Sequence, residues 1–326
     1  MAAAVAAMTM LAACGGGASG GDAQRGARPR PGTTAPTTPG PAVTTTTATT
    51  ARLDPDRPCV GAPAPATYDH VVVVMMENRS WPLVGGPGFP SMPYLNGLAK
   101  SCSYYEDWTE TNKIQNSLTQ YIGLTSGVDN ARTVDDCSPG PSCHSIDDNI
   151  FRQVRVSGKS ARNFVDGATA PCSVGSNAAK HIPALYYQGT YQDSTGTHSD
   201  ADFCTKEVRP LSELDVDNLP AFAYVTPDQC HDGHDCSNQI ADGWLRQQLG
   251  AILAGKSYQA GTTAVFVMWD EDYPVANLQV APSAKPGPRP GKASHRAALK
   301  TMMQMLGLPP LASVAAEPDL RASTPL

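Results

Sequence analysis

The 326-residue sequence has no run of basic residues, and its 30 acidic side chains outnumber 24 basic ones for a formal net charge of −6. That balance argues against nucleic acid as a partner, because phosphate backbones are gripped by clustered Lys and Arg. Beyond the N-terminus there is no apolar stretch long enough to span a bilayer. No two cysteines have the CxxC spacing, so a zinc ribbon is not expected. Hydrophobic content, at 41%, is ordinary for a globular chain, and the length allows one large α/β domain with additions.

What the chain does have is nine cysteines. Cys14 follows Leu11-Ala12-Ala13 at the end of a short Ala/Met-rich apolar segment. This resembles a bacterial lipoprotein signal, cut before the Cys and lipidated on its thiol; a plain signal peptide is the alternative. The other eight, Cys59, Cys102, Cys137, Cys143, Cys172, Cys204, Cys230 and Cys236, are an even count, as in the disulfide frameworks of exported chains. Cys137–Cys143 and Cys230–Cys236 are attractive local pairs, and the full connectivity stays open. Residues 15–57 are rich in Gly, Pro, Thr and Ala and cannot bury a core, which predicts a disordered tether. The expected organisation is therefore a signal at 1–14, a tether at 15–57 and a globular domain at 58–326. The expected location is outside the cytoplasm, lipid-anchored to the cell membrane or secreted.

Two stretches share one grammar. Val71 to Met76 is an unbroken apolar, largely β-branched run, and it stops at Glu77-Asn78-Arg79-Ser80. Ala264 to Trp269 is apolar, and it stops at Asp270-Glu271-Asp272. Such runs suit strands buried on both faces, and ligands in open α/β sheets bind beyond the carboxyl ends of the strands. Adjacent carboxylates repel unless solvated or bound to a cation. A divalent cation held between the two strand ends is the expectation; surface turns and a solvated acidic loop are the alternatives.

A third strand, Pro220 to Pro227, leads into Asp228-Gln229-Cys230-His231-Asp232-Gly233-His234-Asp235-Cys236, where titratable groups are dense. From Ser117 the apolar residues Leu118, Tyr121, Ile122 and Leu124 fall at helical spacing. Ser117 then opens a helix, where its hydroxyl either caps backbone N–H groups or faces an anion held by the free N–H groups and the dipole. Further helices are expected at 93–99, 146–156, 240–253 and 297–306, with extended segments at 101–108 and 160–165. Residues 172–204, including Lys180 and His181, read as a polar, irregular insertion. Residues 281–292 read as Pro-rich and exposed. The alternation of strands and helices predicts a three-layer α/β/α sandwich around a mostly parallel sheet.

Four segments together resemble the bacterial phosphoesterase family of acid phosphatases and non-specific phospholipases C, on the alkaline-phosphatase-like fold. They are the strand ending in Glu77-Asn78, the segment from Ser117 through Tyr121 to Ser126-Gly127, the block from Pro227 to Cys236, and Asp270-Glu271. His295 and the helix behind it match a fifth, weaker motif. The resemblance implies that Glu77, Asn78, Asp270 and Glu271 bind a divalent cation. It implies that Ser117 is the nucleophile, its oxygen also on the metal; activity retained without Ser117 would move the nucleophile elsewhere, with Thr111 next in line. It further implies that His181, His234 and His295 contact phosphoryl oxygens or the leaving group, and that Asp232 and Asp235 orient His234. Where the family has His-Pro before the nucleophile this chain has Gln115-Asn116; for Asn it has His231; for Pro-Asn it has Thr119-Gln120. These departures leave the hydroxyl and the acids in place and bear on substrate range.

The implied reaction is metal-dependent hydrolysis of a small phosphate ester, with residues 58–326 as the catalytic domain. An oxygen-rich ligand set favours Ca, Mg or Mn, and the nearby imidazoles leave Zn or Fe open. A phospholipase C acting on a phospholipid headgroup and a non-catalytic phosphoester-binding lipoprotein are the alternatives. A sulfatase is discounted, because Cys137-Ser138-Pro139-Gly140-Pro141 lacks the required Arg.

Overall fold

The computed structural model describes residues 52–85, 91–112, 116–130, 132–323 and 326. The signal segment with Cys14, residues 15–51 of the expected tether, residues 86–90 and Gln115 lie outside the described residues. The elements run in the order β1 (His70–Met76), α1 (Trp81–Val84), α2 (Pro93–Ala99), β2 (Ser103–Thr109), α3 (Ser117–Ser126), α4 (Ile150–Val156), β3 (Ala161–Val165), β4 (Thr190–Asp193), β5 (Gly196–Ser199), α5 (Cys204–Glu207), β6 (Val208–Pro210), β7 (Phe222–Thr226), α6 (Asn238–Ala254), α7 (Lys256–Gln259), β8 (Thr263–Trp269), β9 (Asn277–Val280), β10 (Gly287–Ser294) and α8 (His295–Met305).

Eight strands form one sheet in the order β10-β2-β9-β8-β1-β7-β3-β6. All pairings are parallel except the two made by β9, which is antiparallel to both β8 and β2. Successive side chains of a strand point to opposite faces. Val71 through Met76 are all fully buried, so both faces of β1 are covered, as its unbroken apolar run predicts. Helices flank the sheet, α3 packing with α8 and α2 with α6. This is the α/β/α sandwich with a mostly parallel sheet that the alternation predicts.

Where sequence and structure differ, the reasons are local. Residues 281–284 are buried rather than exposed, and the Pro-rich run that follows is strand β10, with a register irregularity between Arg289 and Lys292. Pro288 and Pro290 are tolerated because β10 lies at the sheet edge, where a missing ladder donor costs little. Helix α4 starts at Ile150, capped by the Asn149 side chain on the Arg152 N–H, and not at Ile146. The insertion carries the β4–β5 hairpin and three 3-10 turns, Ala179–His181, Pro183–Leu185 and Asp200–Phe203.

Among the described residues there are four disulfides: Cys59–Cys102, Cys137–Cys143, Cys172–Cys204 and Cys230–Cys236. Both local pairs suggested by spacing are among them, and the framework marks a protein of an oxidising, extracytoplasmic compartment. Among the described residues no helix is long and apolar enough to cross a membrane.

The insertion is held by charge as well as by its disulfide. Asp200 accepts from Arg152 Nε at 3.1 Å and Nη2 at 2.5 Å, and from Arg155 Nη2 at 2.6 Å. Arg155 also pairs with Glu207 and lies over the Phe203 ring at 4.1 Å. All four charged groups are largely buried. Removing one member of such a cluster strands the others without partners. Asp200→Ala is expected to cost about 3–5 kcal/mol of unfolding free energy in urea titrations; a loss below about 1 kcal/mol would mean that the network does not anchor the insertion.

Candidate active site

Parallel pairing brings the strand ends together. In the β1–β8 ladder Met76 stands opposite Trp269, so the next residues, Glu77 and Asp270, emerge side by side. On the other flank of β1, strand β7 ends at Thr226 and delivers the 228–236 loop, which the Cys230–Cys236 disulfide closes. The Glu77 N–H donates to the Asp232 carbonyl at 3.1 Å. Arg79 ties the two loops further, donating to Asn78 O, Gly233 O and Asn238 Oδ1. Glu77, Asp232, Asp270 and Glu271 are all buried.

Helix α3 supplies the hydroxyls. Its N-cap is Asn116, whose side chain accepts the Thr119 N–H at 3.0 Å. Capping is therefore done by the residue before Ser117, which leaves the serine hydroxyl for the site. Ser117 Oγ donates to Glu77 Oε2 at 3.0 Å, and Tyr121, one turn on, donates to Glu77 Oε1 at 2.6 Å. The N–H groups of this first turn are not all free, as the sequence suggests. Asp136 Oδ1 takes the Leu118 N–H at 2.9 Å, and Asn116 holds that of Thr119. Gly127 ends the helix in the left-handed region, with φ of 72°.

The insertion supplies His181. Its carbonyl accepts Thr226 Oγ1 at 3.0 Å, and its ring stacks on Tyr121 with centroids 5.3 Å apart. Nε2 lies 3.1 Å from Glu77 Oε1, and Nδ1 lies 3.5 Å from Asp232 Oδ2. His234 is exposed, its ring centroid 6.4 Å from that of His181. Asp235 meets its Nδ1 at 2.6 Å, whereas Asp232 takes the His234 backbone N–H at 2.7 Å and turns its other oxygen to His181. His295 is fully buried at the start of α8, with Nε2 2.9 Å from the carbonyl of Trp269, the residue before Asp270. Burial pushes its pKa down to about 4. Thr111 lies against Gly123 of α3, where a Cβ would come within 2.1 Å of its side chain, and its N–H donates to Gln120. His231 pairs with Asp166 at 2.7 Å and Asp228 at 3.2 Å and stacks on Trp244.

The acids are poorly compensated by the protein. Asn78, held in the left-handed region with φ of 47°, gives its N–H to Asp270 Oδ1 at 2.9 Å. Its side-chain oxygen faces only acceptors; with the amide turned over, its nitrogen would reach Glu77 Oε2 at 2.8 Å, Asp270 Oδ1 at 3.2 Å and Glu271 Oε1 at 3.3 Å. Asp270 Oδ2, Glu271 Oε2 and Asp232 Oδ2 are buried without hydrogen-bond partners. Oxygens that converge in this way are what a cation requires. Among the described residues three groups of ligand atoms are close enough to share one: Glu77–Asp270–Glu271 and Glu77–His181–Asp232, both buried and sharing Glu77, and the half-buried Asp166–Asp228–His231. Burial, then the charges of Asp270 and Asp232, push Glu77 well above the usual carboxylate range. Burial and the neighbouring Asp270, Asp272 and Asp136 raise Glu271 to about 8, with Lys180 opposing.

The sequence reading did not assign Tyr121, Asp136, Lys180 or Asp166 to the site. Tyr121 had a usable signal, since a residue four beyond Ser117 shares its helix face. Asp136 and Asp166 are brought in from distant loops and carry no local signal.

A model of the Phosphoesterase family matches residues 90–300. The chain is 28% identical over 266 residues to a phosphatidylinositol-3-phosphatase of Mycobacterium tuberculosis, covering 77% of this chain and 82% of that one. It is 28% identical over 93 residues to an acid phosphatase of Aspergillus fumigatus, covering 28% of this chain and 20% of that one. Among solved structures it is similar to a protein of the alkaline phosphatase superfamily from Vibrio parahaemolyticus, with a TM-score of 0.50 at 13% identity over 79% of this chain and 71% of that one.

The raised carboxyl pKa values have a consequence for stability. Without a cation, Glu77, Asp270 and Glu271 keep protons in the folded state that the unfolded chain releases above its ordinary values of 4.5 or 3.8. The folded state therefore binds more protons than the unfolded one, and stability falls as pH rises through that window towards about 8. In chelator the melting temperature should be lower at pH 8 than at pH 6, and Glu271→Gln should flatten the slope. A wild-type slope shared by the variant would show that Glu271 does not titrate in this way.

Proposed function

The chain belongs to the phosphoesterase family and is a phosphoric ester hydrolase; from that premise we propose that it is a metal-dependent phosphomonoesterase with Ser117 as nucleophile. The observation that carries this reading is the Ser117 hydroxyl, buried at the start of α3 and 3.0 Å from a carboxylate that belongs to a cluster of undercompensated acids. Glu77, Asn78, Asp270 and Glu271 would hold a divalent cation, Ca, Mg, Mn or Zn, with Ser117 Oγ beside it. When bound, that ion would lower the pKa of the serine hydroxyl and offset charge on the phosphoryl oxygens.

The residues then have separate tasks. Ser117 Oγ attacks phosphorus, its proton directed to Glu77 Oε2. Tyr121 donates to the other oxygen of Glu77 and steadies the carboxylate, with the His181 ring 3.1 Å from the same oxygen. His234, held at Nδ1 by Asp235, presents Nε2 to protonate the departing alcohol. Water then cleaves the phosphoserine and regenerates Ser117. Asp232 positions His234 through its backbone N–H, and His295 steadies the end of β8 through the Trp269 carbonyl.

The name of the mycobacterial relative suggests the substrate class, a phosphomonoester on an inositol lipid. Lipidation at Cys14 would hold the domain at the membrane where such a substrate lies. Cys14→Ser is expected to move the protein from the detergent phase to the aqueous phase on partition of expressing cells; unchanged partition would overturn the anchor.

The central test is release of phosphate from a chromogenic monoester across acid to neutral pH, with and without chelator. Chelator should abolish release, added divalent cation should restore it, and Ser117→Ala should lower kcat by at least about 10³-fold while metal content holds. Full activity in Ser117→Ala would move the nucleophile elsewhere. Faster turnover of phosphatidylcholine than of any monoester would replace this reading with that of a phospholipase C.

A further inference from the structure

We propose that Lys180 is a further catalytic residue, its ammonium binding a phosphoryl oxygen of the substrate beside Ser117. This rests on the assignment of Ser117 as the attacking group. A phosphate monoester is a dianion at neutral pH, and the site that meets it is lined by buried acids. Its oxygens need donors. The start of α3 would ordinarily provide backbone N–H groups, but those of Leu118 and Thr119 are taken by Asp136 and Asn116. Arg79 is close by, yet its guanidinium is committed to Asn78 O, Gly233 O and Asn238 Oδ1.

Lys180 is differently placed. It precedes His181 in the same 3-10 turn and remains partly open to solvent. Nζ lies 3.0 Å from Asp136 Oδ2, and the other oxygen of that carboxylate receives the Leu118 N–H next to Ser117. One carboxylate therefore parks the ammonium at the start of the helix that carries the nucleophile. Lys180 also lies within electrostatic reach of Glu77 and Asp270. An ammonium has three donors and Asp136 uses one, so the others can meet a phosphoryl oxygen without breaking the pair.

The rival is a purely structural Lys180–Asp136 ion pair. The two differ in Asp136→Asn, which weakens the pair, keeps an acceptor for Leu118 and leaves the ammonium in place. Binding of inorganic phosphate is measured by calorimetry in the presence of divalent cation, and as competitive inhibition of ester hydrolysis. Lys180→Ala is expected to weaken phosphate binding about tenfold or more and to lower kcat/KM by about 10²-fold. Lys180→Arg should recover part of both, and Asp136→Asn should retain phosphate affinity. Phosphate affinity unchanged in Lys180→Ala, or equal losses in Lys180→Ala and Asp136→Asn, would overturn the proposal. The Ser117 assignment fails separately, through activity retained in Ser117→Ala.

Discussion

The constraint on which this structure turns is the burial of several carboxylates at the carboxyl ends of the central strands. A buried carboxylate must be protonated, hydrogen-bonded or bound to a cation, because its hydration has been removed. Glu77 meets that requirement most fully, with Ser117 donating to one oxygen and Tyr121 to the other. Asp270 has one backbone donor, and Glu271 and Asp232 each keep an oxygen without a partner. The protein alone thus leaves the cluster short of positive charge. Folding energy from elsewhere, chiefly the fully apolar strands beneath, must hold it together.

That dependence explains the rest of the scaffold. The β1–β8 register sets Glu77 beside Asp270, and a slip by one residue would turn their side chains to opposite faces. The β1–β7 pairing brings the 228–236 loop alongside, where a disulfide limits its conformations. His181 comes from the insertion and needs its own ties. Thr226 at the end of β7 holds the His181 carbonyl, and Asn163 of β3 donates to the Thr226 hydroxyl at 3.0 Å. Sheet, insertion and site are therefore one hydrogen-bonded unit, in which the buried Arg152–Asp200–Arg155 network fixes the far end of the insertion.

How far the sequence could be read follows from the range of each signal. Strands β1 and β8 are legible because a doubly covered strand must be apolar at every position, and the acids that follow stand out against it. Helix α3 is legible from its period, although the choice of Asn116 over Ser117 as cap is not, since both residues cap well. Strand β9 is four residues long and β10 contains two prolines, so neither carries a strand signature of its own. Asp136, Asp166 and the arginine network escape for a different reason. Their partners are distant in the chain, and a lone Asp or Arg does not announce which loop it will meet.

An acid-rich pocket is a paradoxical place to bring an anionic substrate. The resolution lies in what catalysis demands. Charge that binds the ester equally in ground and transition states does not speed the chemical step; charge placed where it develops does. The converging oxygens of Glu77, Asp270, Glu271 and Asn78 can concentrate positive charge next to Ser117 Oγ. Lys180 answers the same demand from the insertion. It is tethered by Asp136 to the first turn of α3, and so stays in position without being drawn into the acids. The abundance of carboxylates is thus consistent with phosphoester hydrolysis, because it is their shortage of compensation that makes room for a cation.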